Sequence, residues 1–160
     1  GVIARPVERP LKEVRKGFTS FLVGDVIFAK ITPCMENGKA AIVPKLKNGR
    51  GFGSTEFHVL RPKENITAQW IFHFVRQESF RADAKASFTG TAGQLRVPAS
   101  FLINYPIPLS PLPEQQRIVA EIERRLSVAA EVDAVVAALL ARSTRLRQSI
   151  LKQAFEGKLV

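Results

Sequence analysis

The chain has 160 residues, 46% of them hydrophobic and eleven of them phenylalanine, which is enough for one ordinary domain and an additional arm. Its 24 Lys and Arg against 14 Asp and Glu give a net charge of +10. A single cysteine, Cys34, excludes an intrachain disulfide, no apolar run is long enough to cross a membrane, and no secretory signal opens the chain; we therefore expect a cytoplasmic protein.

The positive charge is concentrated in the first part of the chain. Residues 1–112 carry 16 Lys and Arg against eight Asp and Glu, whereas residues 113–160 carry eight against six. A basic part beside a nearly balanced one favours a polyanionic partner for the basic part. The alternative is a basic surface that is merely solvated.

The first 60 residues predict short strands separated by turns. Compact or alternating apolar runs are typical of strands, and Asn37-Gly38 is typical of a tight hairpin. Pro6 and Pro10 disfavour regular structure in the basic N-terminal stretch. The predicted elements are, in order, an irregular segment over 1–23, strands over 26–31 and 40–43, a loop over 45–53 and a strand over 55–60.

One helix and one edge strand are predicted in the next part of the chain. Asn65 or Thr67 can cap a helix that covers 68–86. Residues 101–109 are predicted as an edge strand, because the prolines in this stretch cannot donate the ladder hydrogen bonds of a central strand. A polar loop over 87–98 joins the two elements.

Residues 111–155 predict one long helix. Pro113 suits a first helical position, and neither Gly nor Pro follows until Gly157, which suits the position just after a helix. At 1.5 Å per residue this helix spans roughly 60 Å, far more than an ordinary globular helix. The predicted domains are a globular domain over 1–110, a long helix over 111–157 and a tail over 158–160.

Apolar residues recur along this helix at the spacing of a coiled coil, although polar residues such as Gln115 and Arg125 interrupt the repeat. One helix cannot bury such a face alone, so the pattern predicts pairing with another helix. The alternative is a long helix that packs on its own domain. We call the predicted pairing residues the apolar stripe; they are Ile118, Ile122, Leu126, Val132, Val136, Leu139, Leu146 and Ile150.

Enzyme hypotheses find little support in the residue pattern. The run Gly49-Arg-Gly51-Phe-Gly53 lacks the spacing of a nucleotide-binding loop and the apolar strand that should precede it. His58 and His73 are far apart, and one cysteine is too few for an ordinary zinc site. No pairing of a general base with a nucleophile is apparent. We therefore predict no catalytic residue, no metal and no cofactor.

Four sequence blocks carry a family resemblance. They are residues 24–39 (GDVIFAKITPCMENGK), 51–57 (GFGSTEF), 89–98 (TGTAGQLRVP) and 106–119 (PIPLSPLPEQQRIV). In this order they resemble the target recognition domain of type I restriction–modification specificity (S) subunits, and the last block is similar to the junction into the conserved spacer helix.

The resemblance implies an α/β fold in which a small mixed-sheet target recognition domain is followed by one long coiled-coil-type α-helix. A full S subunit has two such halves with antiparallel long helices, and each domain recognises half of a split DNA site. The S subunit is non-catalytic; methyltransferase (M) subunits dock on it, and a restriction (R) subunit joins them. The chain resembles one half, and its stretch before Gly24 is short, so we expect a recognition domain incomplete at its N-terminus.

We therefore predict a non-catalytic specificity subunit that binds double-stranded DNA, docks M and R subunits, and forms a homodimer through the apolar stripe when the other half is absent. Lys and Arg suit guanine edges or phosphates, and Asn and Gln suit adenine edges. The competing hypothesis is a protein-interaction scaffold whose basic charge is incidental. The residues predicted to contact DNA are Lys30, Asn37, Lys39, Arg50, Ser54, Gln94 and Arg96.

Two of these residues have an alternative role. Asn37 equally suits turn geometry, since Asn tolerates the backbone conformations of turns. Arg96, together with Thr91, equally suits contacts that hold the domain against the long helix.

Overall fold

The computed structural model describes residues 3, 7–91 and 93–159 and divides into two compact units, Gly1–Val119 and Ala120–Val160. The α/β class with one long C-terminal helix is confirmed. The elements in chain order are α1 (Leu11–Val14), β1 (Thr19–Leu22), β2 (Val26–Ala29), β3 (Ala40–Ile42), a short 3-10 turn (Lys47–Gly49), β4 (Arg50–Gly53), β5 (Phe57–Leu60), α2 (Ala68–Arg76), α3 (Glu78–Ala86), α4 (Ala99–Asn104) and α5 (Leu112–Phe155).

The strands form two small sheets. Strand β2 is central in a three-stranded sheet of order β3-β2-β5, and β1 pairs with β4. All pairings between these described strands are antiparallel, where the sequence predicts a mixed sheet. Val26 and Phe28 of β2 are fully buried while Ile27 and Ala29 are partly exposed, so side chains alternate and one face of the sheet lies on the core.

Phe80 is the centre of an aromatic cluster that joins the sheet to three helices. Its ring centroid lies 5.7 Å from that of Phe28, 5.4 Å from Phe74, 5.9 Å from Phe101 and 5.0 Å from Tyr105. Tilted and edge-on pairs of this kind contribute about 0.5–1.5 kcal/mol each beyond the burial of their area. The cluster therefore holds β2, α2, α3 and α4 together as one core.

The helix predicted over 68–86 is two helices, because Gln77 is extended (φ −59°, ψ 143°). In a straight helix Val75 and Phe80 would lie roughly 140° apart around the axis. The break allows both to be buried on the same core. The predicted cap at Thr67 is confirmed, since its hydroxyl accepts a 3.1 Å hydrogen bond from the Trp70 N–H.

The edge strand predicted over 101–109 is wrong. Residues Ala99–Asn104 form α4, and the chain from Tyr105 onward is extended but pairs with no described strand. The prolines exclude ladder pairing, as expected, but burial of Phe101 and Tyr105 against the aromatic cluster selects a helical turn.

Two further predictions are wrong in the first half of the chain. The segment predicted to be irregular contains α1 and β1, and the loop predicted over 45–53 contains β4. A Cβ on Gly51 would lie 2.3 Å from Phe21 Cε2, and one on Gly53 would lie 2.9 Å from Phe57 Cζ. The glycines are therefore needed so that aromatic rings can pack directly on the backbone of β4. Strand propensities do not include this requirement, so the sequence predicts a loop here.

The turn predicted at Asn37-Gly38 is confirmed, but it is not a tight two-residue hairpin loop. Strands β2 and β3 are antiparallel neighbours, but the connection between them runs from Lys30 to Lys39. Gly38 closes the final turn at φ 62°, with its N–H donating to the Met35 carbonyl at 2.8 Å. The fully buried Met35 side chain explains the longer path, because the connection itself contributes to the core.

The start of α5 is fixed by one buried amide. Gln115 is fully buried; its Oε1 accepts from the Thr67 N–H at 3.1 Å, and its Nε2 donates to the carbonyls of Asn65 and Ser110, both at 2.8 Å. Buried backbone groups need such partners. The polar interruption of the stripe at this position therefore has a structural purpose.

The remainder of α5 is solvent-exposed. Every described side chain from residue 123 onward is exposed, and the predicted end at Gly157 is confirmed by φ 68° and a 2.8 Å bond from the Lys158 N–H to the Gln153 carbonyl. Pro113 lies in the first turn, where its missing N–H leaves no intrahelical bond unmade. No described helix combines the length and apolarity that crossing a bilayer requires.

We expect Gln115→Leu to lower the free energy of unfolding by about 1–3 kcal/mol, because the three backbone groups that this buried side chain contacts lose their partner. Urea denaturation followed by fluorescence of Trp70, the single tryptophan, measures the change. The matched control is Gln116→Leu, which makes the same replacement at an exposed position of the same turn. Equal stabilities of the two variants would contradict the assigned role of Gln115.

Candidate nucleic-acid interface

Three segments meet where β2 ends. The Lys30 N–H donates to the Glu56 carbonyl at 3.1 Å, and the Lys30 carbonyl accepts from the Val97 N–H at 2.9 Å. The Thr32 N–H donates to the Leu95 carbonyl at 3.1 Å. We call the region formed by residues 30–32, 54–56 and 94–97, with the adjoining turn over 36–39, the strand-end corner.

A small hairpin supplies one edge of this corner. Thr89 and Arg96 exchange both backbone hydrogen bonds, at 3.0 and 2.9 Å, and the Gln94 N–H donates to the Thr91 carbonyl at 2.9 Å. Gly90 has φ 121°, and a Cβ there would lie 2.8 Å from the Gln94 carbonyl oxygen. The hairpin therefore requires glycine at this position and leaves the Gln94 side chain exposed.

Arg96 makes hydrogen bonds within the protein through all three of its guanidinium nitrogens. Nε and Nη2 donate to the two carboxylate oxygens of Glu56 at 2.7 and 2.9 Å, and Nη1 donates to the Gln94 carbonyl at 2.7 Å. This hydrogen-bonded pairing lowers the pKa of Glu56 and raises the pKa of Arg96, so both groups stay charged. The sequence offers no signal for the pair, because 40 residues separate its members.

A second carboxylate holds the adjoining turn. The Glu36 side chain accepts a hydrogen bond from the Thr32 hydroxyl and pairs with Lys85 Nζ on α3 at 2.8 Å, while Arg81 donates to the Glu36 carbonyl. The hydrogen bond from Lys85 is the largest cause of a lowered pKa at Glu36. These contacts fix the backbone that carries Asn37 and Lys39 on the surface.

The structure brings six of the seven predicted contact residues to the strand-end corner. Most of their side chains are exposed; that of Lys30 is partly buried, and the Ser54 hydroxyl accepts a 3.0 Å hydrogen bond from the Glu56 N–H. Lys39 lies beside the end of β2, because its carbonyl accepts from the Ala29 N–H at 2.9 Å. The six residues are Lys30, Asn37, Lys39, Ser54, Gln94 and Arg96.

Arg50 lies apart from this group. It opens β4 opposite Leu22, next to the turn into β2, whereas Ser54 follows the other end of β4. Its side chain is exposed and has no ion-pair partner within the part of the chain that the structure describes.

Most acidic side chains near these residues are already neutralised by internal partners. Besides the two carboxylates above, Asp25 is buried and pairs with Arg61 through Nε–Oδ1 and Nη2–Oδ2 contacts of 2.8 Å each. Among the described residues, the ammonium groups of Lys30 and Lys39 have no such partner. The corner therefore presents net positive charge to solvent.

The histidines do not form a reactive site with these residues. His58 Nε2 lies 2.9 Å from the Val97 carbonyl and donates to it, and burial lowers the pKa of His58, so the ring is neutral near pH 7. Residues 3, 7–91 and 93–159 contain no cluster of three His, Cys, Asp or Glu side chains that could hold a metal ion. The corner can therefore attract and hydrogen-bond a polyanion, and it shows no arrangement for covalent chemistry.

Residues 11–127 match the family described as the type I restriction modification DNA specificity domain. The chain belongs to this family. The resemblance to specificity subunits is thus confirmed, and specificity-domain relatives include the EcoAI and EcoEI type I restriction enzyme specificity subunits of Escherichia coli. The EcoAI subunit is 44% identical over 123 residues, which cover 76% of this chain and 21% of the relative. The EcoEI subunit is 47% identical over 113 residues, which cover 70% of this chain and 19% of the relative.

Solved specificity-subunit structures share the fold. The HsdS subunit from Thermoanaerobacter tengcongensis superposes with a TM-score of 0.63 and 31% identity, covering 83% of this chain and 34% of that one. A chain from a study of complex assembly and conformational transition in the type I R-M system superposes with a TM-score of 0.70 and 25% identity. The match covers 88% of this chain and 32% of that one. The chain spans about a fifth of the length of these two curated relatives and a third of these structures.

The buried Asp25 carboxylate makes stability depend on pH. Hydrogen bonds from Arg61 and the Leu22 N–H lower the pKa of Asp25 below its usual 3.8. Below pH 3.8 the unfolded chain therefore binds a proton that the folded chain does not, so this contribution is present above 3.8 and is lost as the pH falls towards the folded pKa.

We expect Asp25→Asn to cost about 2 kcal/mol at pH 7, through loss of charge-assisted hydrogen bonds to a buried group. The difference from the unchanged protein should shrink as urea denaturation is repeated from about pH 5 down to pH 2. Glu64→Gln, at an exposed position, is the control. A difference that stays constant across this range would contradict the assignment.

Proposed function

We propose that this specificity domain binds double-stranded DNA through the strand-end corner. The observation that carries the proposal is that the acidic groups of the corner are paired inside the fold, while the exposed Lys39 and the partly buried Lys30 form no ion pair with a described residue. A surface with uncompensated positive charge attracts the phosphate backbone, and the resulting affinity falls with salt. Membership of a DNA specificity family supports the same conclusion.

Base recognition in this proposal comes from the exposed amides. Asn37 and Gln94 lie on separate loops of the corner, and each amide can form a bidentate pair with an adenine edge in the major groove. Lys39 and Lys30 supply contacts to phosphate or guanine. The Ser54 hydroxyl can donate a hydrogen bond to a phosphate oxygen or to an acceptor on a base edge. Arg50, at the other end of β4, supplies a separate phosphate contact.

Recognition is proposed to be of one half of a bipartite site, with catalysis left to partner subunits. The chain spans about a fifth of its curated relatives, which are named specificity subunits of restriction enzymes. Docking of methyltransferase and restriction subunits onto the assembled specificity subunit is part of the proposal, which family membership supports, and the chain itself is proposed to be non-catalytic.

The exposed apolar stripe is proposed to pair with a second helix of the same kind. Val132, Val136, Leu139 and Leu146 are 49–60% exposed, which is unusual for large apolar side chains repeated along one helix. Residues 113–134 carry five acidic and three basic side chains, whereas residues 135–160 carry one acidic and five basic ones. In an antiparallel pair of two such helices, the acidic part of each helix lies beside the basic part of the other. A second copy of the chain is therefore the proposed partner when the other half of the specificity subunit is absent.

The DNA proposal predicts a steep fall of affinity with salt and a smaller slope in single-charge variants. Lys39→Gln or Arg50→Gln should each reduce the log–log slope by about 0.9 if that side chain contacts a phosphate. Fluorescence anisotropy with a duplex recovered from a randomised pool, between about 50 and 200 mM salt, measures this slope.

The control for charge alone is Arg76→Gln, an exposed arginine on α2 whose guanidinium lies over the Phe72 ring. Its slope should equal that of the unchanged protein. A flat salt response in the unchanged protein would remove the DNA proposal and leave the protein-interaction scaffold as the better hypothesis.

The pairing proposal predicts that Val136→Asp with Leu139→Asp yields a monomer, because two carboxylates cannot be buried in an apolar helix interface. Sedimentation velocity measures the mass, and circular dichroism at 222 nm confirms that the helix persists. The matched control is Ala134→Asp with Ala141→Asp, which adds the same charge on the opposite side of the heptad. A monomeric unchanged protein with a fully formed α5 would overturn the proposal.

A further inference from the structure

We propose that Glu56 and Arg96 form a positioning pair that presents the hairpin closed by Thr89 and Arg96 to DNA, and that Arg96 itself does not contact the duplex. The inference rests on the proposed function and assigns a role to two residues of the same corner. Its starting point is the juxtaposition of a complete carboxylate–guanidinium fork with the exposed Gln94 side chain.

The hydrogen-bond geometry leaves Arg96 poorly suited to reading a base. A bidentate contact with guanine needs two guanidinium nitrogens aimed at the O6 and N7 atoms. In Arg96 the Nε and Nη2 pair is directed at Glu56, and Nη1 is directed at the Gln94 carbonyl. The side chain is only 34% exposed, so reaching DNA would require breaking contacts that are all charge-assisted.

The same contacts fix a segment that is intrinsically loose. Gly90 and Gly93 both have positive φ, at 121° and 82°, and glycine loses more conformational entropy on ordering than any other residue. The hairpin is joined to the segment after β2 through backbone contacts of Ile31 and Thr32. At the carboxyl end of the hairpin, the Arg96 side chain adds a connection to Glu56, the residue before β5. A loop ordered before binding avoids that entropy loss when DNA binds.

Electrostatics gives the pair a consequence opposite to that of an ordinary surface acid. Removing a carboxylate near DNA normally strengthens binding, because a like charge next to the phosphates is lost. Glu56→Gln raises the local net charge by one and leaves the Arg96 guanidinium without its partner, so electrostatics alone predicts tighter binding, whereas release of the hairpin predicts weaker binding to the selected duplex. Weaker binding after loss of a negative charge is therefore the signature of positioning.

The experiment compares Glu56→Gln, Arg96→Gln, the double variant and Arg96→Lys in the full chain. Two probes are used, a duplex selected from a randomised pool and a random-sequence duplex, each across a salt series. We expect the three Gln variants to lose affinity for the selected duplex equally, by roughly five- to 150-fold, which corresponds to one lost base contact of about 1–3 kcal/mol. The double variant removes one positive and one negative charge, so its affinity for the random duplex and its salt slope should stay unchanged, and Arg96→Lys should recover part of the loss.

A direct phosphate or base contact by Arg96 gives a different pattern and would overturn the inference. In that case Glu56→Gln binds as tightly as the unchanged protein or more tightly, and both variants that lack Arg96 lose about 0.9 from the salt slope. Amide hydrogen exchange separates release of the hairpin from a general loss of stability. Release of the hairpin speeds exchange only at the hairpin amides, whereas global destabilisation speeds exchange throughout the chain.

The matched control is Glu121→Gln, which removes a carboxylate that pairs with Arg124 and Arg125 on α5. It should leave both DNA affinities unchanged. If the unchanged protein binds neither duplex in a salt-dependent way, the proposed function itself is wrong and this inference falls with it; salt-dependent binding with a wild-type-like Glu56→Gln variant overturns the positioning pair alone.

Discussion

The buried amide of Gln115 is the interaction on which the arrangement of the globular unit depends most directly. It supplies an acceptor to the Thr67 N–H and donors to two carbonyls at the same point. The start of α2, the end of the extended segment and the first turn of α5 are thereby joined through one side chain. An apolar residue of similar size would fill the space but leave three backbone groups without the partner that Gln115 supplies.

The globular unit uses its acidic residues in a comparable way. Asp25, Glu36 and Glu56 each bind a cationic partner from a distant part of the chain, so each carboxylate stabilises the fold and removes a negative charge from the surface. At the strand-end corner, Lys39 is then exposed and forms no ion pair with a described residue. Folding and recognition are served by the same pairings, which explains how a modest excess of basic residues produces a locally positive corner.

The sequence predicts those features whose signals are local. Gly157 ends α5 and Thr67 caps α2 as expected, because capping depends on neighbouring residues. Strand β4 is not predicted, because its glycines are required by the close packing of the Phe21 and Phe57 rings and not by local strand propensity. The break at Gln77 is not predicted either, because it depends on the burial of both flanking helices. The sequence names candidate contact residues but not their grouping at the corner, and the internal pairings of the corner join residues too distant in sequence for any pattern to reveal.

The networks around Gln115 and around the strand-end corner have no residue in common among the hydrogen bonds described here. Free-energy changes at sites without shared partners are usually additive. Loop side chains at the corner can therefore be replaced without rebuilding the junction into α5. Under the proposed function, target preference can therefore change by substitution at the corner while the contacts that hold the first turn of α5 are inherited unaltered.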